Sequence, residues 1–461
     1  MKVLFLNPPK MKENLYIDPV LTRCTGIPAK APYLWPPIGL AYVAGYVEDI
    51  ANVKILDAQA EDLNLSQTAR KCKNFDLVVF NFGTVTANRD LKLCEEIKAN
   101  CSAKIALVGT HSTFFHSQLI QNNSVDFVIR GEPEKIIYNL IGNKPEKVKG
   151  LTWKHKGKIR INKRELPIEN LDLAPFAARN LLPNDKYYDI LTRKSPITPI
   201  ITSRGCPFNC TFCTARIYNG RIYRYRSAEN VVKEVEEILD QGFRDITFFD
   251  DTFTINRERV IEICKLIKDL GVSWRCLSRT DGVNKEMLKK MYDSGCYTIE
   301  FGVESGDQNI LNKMGKGTNI NDIKKVFKWC DEIGIETVGF FILGYPGETR
   351  ETIGNTLRLV KEIKPDFVTF NLMMPLPGSE IYDVLKPTED WDRFDFTSTS
   401  FCDISSEEMQ KIIAEAYKNY YMRFSYIFRR IAKTKDPIRI IKQNALFWLK
   451  RSGILWKLLN K

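Results

Sequence analysis

Short β-rich runs alternating with helical stretches recur along most of this chain, in two series of different period. That alternation restricts the fold more than any other feature. In the first series, "KVLFLN" (2–7), "VKIL" (53–56), "DLVVFN" (76–81), "KIALVG" (104–109) and "VDFVIRG" (125–131) are bounded by turn residues. Between them, "GLAYVAGYVEDI" and "DLKLCEEIKANC" carry apolar residues at helical spacing. Strands joined by helices must lie parallel, so residues 1–142 are expected to form a Rossmann-like, doubly wound α/β sheet. Ligands of such sheets collect at the carboxyl ends of the strands. Those ends are "NPP", "FGTVT", "VGTHST" and "RGEPE", which marks Thr84, Gly109, Thr110, His111 and Glu132 as candidate cofactor contacts.

Residues 143–196 change character: "LTWKHKGKIRIN" reads as a hairpin turning at Lys156-Gly157, and "IENLDLAPFAARNLLP" as an extended, proline-punctuated linker. The alternation then resumes over residues 197–400. Its candidate strands are "PIIT" (199–202), "DITFFD" (245–250), "WRCLSR" (274–279), "TIEFGV" (298–303), "ETVGFFILG" (336–344) and "DFVTFNLM" (366–373). Helices such as "SAENVVKEVEEILDQG" separate them, opening at a serine cap and closing at glycine. Six β/α units predict a partial (β/α)6 barrel with its chemistry at the carboxyl ends of the strands. A helical region, 401–461, follows.

A length of 461 residues fits two or three domains of this kind. The twelve cysteines, spread from Cys24 to Cys402, lack the paired spacing of a disulfide framework, and "MKVLFLNPPK" is a short strand rather than a secretory leader. Reduced thiols in a cytoplasmic protein are therefore expected. No run approaches the roughly 18 uninterrupted apolar residues that a membrane span needs.

One cysteine group stands apart. "SRGCPFNCTFCTAR" (203–216) places Cys206, Cys210 and Cys213 on a single loop directly after the first strand of the second series, with Phe212 beside the last thiol. Three thiolates suit a soft metal. A structural zinc site normally closes with four ligands, and no second half lies near the triplet. A [4Fe–4S] cluster held by three thiolates instead leaves one iron open to a small molecule.

The C-x3-C-x2-C spacing with Phe212 resembles the signature of the radical S-adenosylmethionine (SAM) superfamily. The resemblance implies that Cys206, Cys210 and Cys213 ligate the cluster and that SAM chelates the open iron. One-electron cleavage of SAM would then give a 5′-deoxyadenosyl radical. Further segments look like that superfamily's SAM-contacting stretches: "FFDDTFT" with Asp250 and Asp251, "SRTDG" with Ser278 and Arg279, "EFGVESG" with Glu304, and "GFFILGYPGET" with Gly344. "PYLWPPIGLAYVAGYVE", "VGTHSTFF", "FVIRGEPE" and "MMPLPGSEIYD" resemble the members that carry an N-terminal cobalamin-binding domain, among them bacteriochlorophyll- and lipid-modifying enzymes. That resemblance implies bound cobalamin and methyl transfer to an unactivated carbon. It also implies an electron donor such as flavodoxin or ferredoxin. The chain departs from the D-x-H-x-x-G pattern that supplies a lower cobalt ligand, having "NFGTVTANRD" instead; His111, in the loop after "KIALVG", either faces the corrin or caps and packs in its own loop.

The charge is uneven. Net charge is +12, yet residues 423–461 hold eleven Lys/Arg against one acid, Asp436, so this tail alone carries about +10. In 436–461 an apolar stripe through Ile438, Ile441, Ala445, Trp448, Leu449, Leu455 and Leu459 is flanked by basic residues. Such a segment either lies on an anionic lipid surface or packs on the protein as a terminal helix. No groove-reading motif accompanies it, so no nucleic acid is expected. The resulting expectation is a cytoplasmic enzyme, peripheral to the membrane if the tail is interfacial, that methylates a hydrophobic or lipid substrate. Radical C–C bond formation, cyclisation or oxidation without methyl transfer is the second reading, and a catalytically silent binding protein the third.

Overall fold

The computed structural model describes residues 1–10, 33–385 and 400–433; the basic tail at 436–461 lies outside them. Both expected β/α series fold as parallel sheets. The first contains β1 (Lys2–Asn7), β2 (Asn52–Asp57), β3 (Leu77–Asn81), β4 (Lys104–Val108) and β5 (Phe127–Ile129), and its seven strands run in the order β2-β1-β3-β4-β5-β6-β7. Strands β1 to β5 pair in parallel, while β6 (Leu151–His155) and β7 (Lys158–Ile161) extend the sheet antiparallel. The expected hairpin is thus a continuation of this sheet, and its Lys156-Gly157 turn has positive φ at both residues (47° and 75°), as a tight hairpin of this twist requires. Every residue of β3 is buried, because helices cover both faces of a parallel sheet. The chain order reverses at β1 and β3, which is where an open sheet of this order takes its ligand.

The second sheet contains β8 (Ile197–Ile200), β9 (Asp245–Phe248), β10 (Ser273–Ser278), β11 (Cys296–Glu304), β12 (Glu336–Leu343) and β13 (Phe367–Leu372), in sequence order and wholly parallel. This is the six-unit partial barrel. Alternate strand residues, among them Ile246, Phe248, Trp274, Cys276, Ile299 and Phe301, join the helices in one large core. The intervening positions face the other side, where Phe249 and Leu277 form a separate apolar cluster with Trp35.

The segment read as an extended linker is instead built into the structure. It folds as three 3-10 turns, Leu171–Leu173, Arg179–Leu181 and Asn184–Lys186, because its side chains fill the seam between the two sheets. Arg179 is fully buried, 2.7 Å from Glu234, and donates from Nε to Thr198 Oγ1 at 3.0 Å. The Glu234 carboxylate also pairs with Arg226 and accepts from Tyr42 Oη at 2.9 Å. Burial by itself would raise its pKa, but the two guanidinium charges hold Glu234 below the usual carboxylate range. Tyr42 lies on the helix Ile38–Val47 of the first sheet and Glu234 on the helix Ala228–Asp240 of the second, so one carboxylate joins both layers.

Candidate active site

The three cysteines follow β8 on a loop held from every side. Asp250 fixes its entrance: one carboxylate oxygen accepts from Thr202 N at 2.6 Å, the other from Thr202 Oγ1 and Ser203 Oγ at 2.6 Å each. This aspartate is completely buried, so it acts as an internal anchor of the loop rather than an open ligand contact. Gly205 has φ +86°, and a Cβ there would collide with the Ile222 carbonyl oxygen, so the turn into Cys206 requires glycine. At the middle of the loop, Thr211 N donates to Met314 O at 3.0 Å, and Thr211 Oγ1 lies 2.8 Å from Tyr345 Oη. Phe212 packs against an apolar cluster containing Ile310, Met314, Tyr345 and Met373.

Cys206, Cys210 and Cys213 are half-buried free thiols. Burial pushes the Cys213 thiol up to about 12 and raises Cys206 as well. Compensating positive charge comes from Arg279, whose Nη1 lies 3.6 Å from Cys210 Sγ. That guanidinium is itself fixed: it stacks 3.7 Å from the Phe208 ring centroid, grips Asp281 at 2.9 and 2.7 Å, and donates to Lys316 O. Asp251 accepts from Asn219 Nδ2 at 3.0 Å, and its charge adds to the rise of the Cys206 and Cys213 thiols. Among the described residues no group of His, Cys, Asp or Glu side chains converges as ligands of one metal ion would.

The other expected contacts divide. Glu304 ends β11 with φ +69°, after a register shift from Gly302, and is buried in an ion pair 2.7 Å from Lys316 Nζ. Ser278 Oγ lies 2.6 Å from Thr254 Oγ1 and donates to Arg279 O at 3.0 Å. Gly344 N donates 2.6 Å to Glu348, a buried carboxyl that burial raises to about 7. Arg279, Lys316 and the loop 344–348 therefore surround the thiol loop. Arg279 carried a sequence signal, and Tyr345 and Glu348 lie in the stretch "GFFILGYPGET" marked through Gly344; Lys316 carried none.

At the edge of the first sheet, Thr84 and His111 meet: His111 Nδ1 is 3.1 Å from Thr84 Oγ1. The imidazole is enclosed between Phe82 and Phe115, at centroid distances of 5.4 and 4.8 Å, and is 1% exposed. Burial pushes its pKa down to about 3, so it is neutral. His111 thus takes the second of the two places open to it, packed in its loop with its ring against Thr84. The residues left to cradle a corrin at this edge are small: Gly109 with φ 118° and the neighbouring Thr110 and Thr84.

Glu132 stands at the strand end where it was expected, engaged there by arginines. It precedes the helix Pro133–Gly142 at the end of β5, buried, and pairs with Arg224 and with Arg204 at 3.2 Å while accepting from Ile168 N at 3.1 Å. Glu134 holds the second branch of Arg204. Burial would raise the pKa of Glu132, but the arginine charges outweigh it and hold the carboxyl below its usual range. Arg204 and Arg224 belong to the small ladder Ser203–Arg204 with Arg224–Tyr225 that closes the base of the cysteine loop. The first sheet therefore grips the cysteine loop through buried ion pairs. Tyr382, beyond the last barrel strand, completes the contact by packing on Phe114 and Phe115 at centroid distances of 5.4 and 6.3 Å.

A thiol-bearing loop atop a partial barrel, clasped to a doubly wound sheet, defines a radical SAM enzyme with a cobalamin-binding domain. Comparison with known proteins agrees. Residues 200–360 match the Radical SAM superfamily and residues 25–141 the B12 binding domain. An uncharacterized methyltransferase of Pyrococcus horikoshii is 32% identical over 94% of this chain and 95% of its own length. The anaerobic magnesium-protoporphyrin IX monomethyl ester cyclase of Rubrivivax gelatinosus is 29% identical over 87% of this chain and 76% of its own. The hopanoid C-3 methylase of Methylococcus capsulatus is 27% identical over 75% and 67%. Among solved structures, the cobalamin-dependent SAM radical enzyme OxsB shares the fold, with a TM-score of 0.72 at 17% identity over 97% of this chain and 70% of that one. The chain belongs to the cobalamin-dependent radical SAM methyltransferase family, whose cofactors are a [4Fe–4S] cluster, SAM and cobalamin.

Proposed function

We propose that the enzyme methylates an unactivated carbon of an apolar substrate, a lipid or isoprenoid. The observation that carries this reading is the cluster of Trp35, Phe249 and Leu277 on the sheet face opposite the helical core, near the strand ends that bear the cysteine loop. The Trp35 ring lies 4.7 Å from Phe249 and its Nε1 donates to Asp189 at 2.9 Å, so its orientation is set before any substrate arrives. Phe249 and Leu277 are 8% and 9% exposed, so the half-buried Trp35 is the part of this cluster left to meet an apolar group. Relatives named for hopanoid and magnesium-protoporphyrin chemistry support an apolar substrate.

Bound together, the cluster with SAM supplies a hydrogen-abstracting radical and the corrin supplies a transferable methyl group. This chain's own contribution is positional. Asp250, Thr211 and Tyr345 fix the cysteine loop, Arg279 balances its negative charge, and Glu132 holds the corrin-side sheet against it. A soluble reductant, flavodoxin or ferredoxin, supplies the electron. A second reading, ring closure without methyl transfer, is favoured by the likeness to the cyclase.

Methyl-labelled SAM separates the two. Methyl transfer predicts label in the product together with S-adenosylhomocysteine. Deoxyadenosine formed with no methyl incorporated would overturn the methylase reading.

A further inference from the structure

The helix Phe424–Lys433 presents two unlike faces. Its inner face is tightly held: Tyr426 donates to Asp366 O at 2.9 Å, and the buried Arg430 pairs with Asp366 at 2.8 Å and Glu336 at 3.3 Å. Its outer face carries Phe424, Phe428 and Ile431, spaced i, i+4, i+7, with exposures of 78%, 68% and 36%. Exposed Met422 precedes them, and the other fully exposed described positions of the helix, Ser425 and Ala432, carry no charge. Isolated exposed apolar residues are ordinary, whereas an aromatic stripe along one helix marks an interaction surface.

The charges around the stripe select its occupant. From residue 416 to 433 there is no Asp or Glu, while Lys418, Arg423 and Arg429 are basic and, unlike Arg430, not buried; the sequence adds Lys433 and Lys435. Arg429 donates to Pro365 O at 2.9 Å and to Lys364 O, which brings the exposed Lys364 to the same rim. The following 436–461 adds six Lys/Arg against one acid. A second copy of this chain laid on the stripe would oppose cation to cation, and so would the chain's own basic terminal segment. An anionic bilayer satisfies both the aromatic side chains and the surrounding cations.

We propose that the outer face of the helix Phe424–Lys433 docks on an anionic phospholipid surface, holding the enzyme at the membrane. This does not depend on the substrate or on methyl transfer.

The test is co-sedimentation of the full chain with vesicles of mixed phosphatidylglycerol and phosphatidylcholine, and with phosphatidylcholine alone. The wild type is expected to bind the anionic vesicles preferentially and to release in high salt. Phe424→Ser with Phe428→Ser should weaken partition on the order of tenfold or more, since two aromatic groups no longer enter the interface, and should leave the melting temperature unchanged. Equal binding of the double variant would overturn the proposal, as would no preference for the anionic lipid. Loss of a wild-type dimer in the double variant, read by light scattering without vesicles, would assign the face to a second copy. A lowered melting temperature with unaltered partition would assign it to the chain's own terminal segment.

Discussion

Replacing Glu132 by glutamine tests whether the two sheets are held together at the cysteine loop by buried charge. The substitution conserves shape and removes one negative charge from a site where Glu132 is 7% exposed and Arg224 is 8% exposed. Arg204 would keep Glu134, but Arg224 would keep only neutral acceptors, Ile168 O at 2.6 Å and Asn219 O at 2.9 Å. Breaking a buried pair by removing one partner costs roughly 3–5 kcal/mol, because the remaining charge stays desolvated. With one arginine still neutralised, the lower end applies, about 3 kcal/mol. For a cooperative unit of 150–250 residues that lowers the melting temperature by about 6–12 °C. Differential scanning calorimetry of the anaerobically purified protein measures it, with Glu408→Gln as control. Glu408 pairs with Arg350 at 2.6 and 2.9 Å, but the pair is exposed, so its loss should leave the melting temperature unchanged. A Glu132→Gln protein melting with the wild type would refute the clasp. Equal losses in both variants would show that burial does not distinguish the pairs.

Two further outcomes follow from the same reasoning. Arg279→Gln removes the cation 3.6 Å from Cys210 Sγ, so the reconstituted cluster should become harder to reduce, its potential shifting negative in a spectroscopic redox titration; an unmoved potential would exclude Arg279 from charge compensation. Burial raises Glu348 to about 7 against an ordinary 4.5. The folded state therefore binds an extra proton between these values, and the stability this adds is complete below about 4.5 and lost as pH rises through about 7, up to roughly 3 kcal/mol. Denaturation midpoints from pH 5 to 8 should fall more steeply for the wild type than for Glu348→Gln, and parallel curves would contradict the shift.

What could be read beforehand depended on how far apart the informative residues lie. Strand and helix periods are local, and all of the expected parallel strands formed. The thiol triplet is local too, eight residues from Cys206 to Cys213. Pairings across the fold are not local: Glu132 meets Arg224 across 92 positions, and Tyr42 meets Glu234 across 192. A carboxylate at a strand end looks the same in sequence whether it faces a ligand or an arginine, which is why Glu132, Asp250 and Glu304 all read as cofactor contacts and all prove internally engaged. Which of its two places His111 takes was hidden for the same reason, since enclosure by Phe82 and Phe115 depends on the segment 110–115 closing over the end of β3. Trp35 lies in the stretch "PYLWPPIGLAYVAGYVE" that the sequence singled out, but its place was not legible, because its partners Phe249, Arg275 and Asp189 lie on the other sheet or on the segment between. These residues nevertheless share a physical role. The barrel's cysteine loop and the corrin-side sheet meet through Glu132, and the two layers are joined again through Glu234. A domain pair held by desolvated charge at two places resists sliding, since any shift would strand a carboxylate without its guanidinium. Fixed separation is what a reaction shared between two cofactors needs, because misplacing a reacting group by even about 1 Å can cost on the order of a hundredfold in rate.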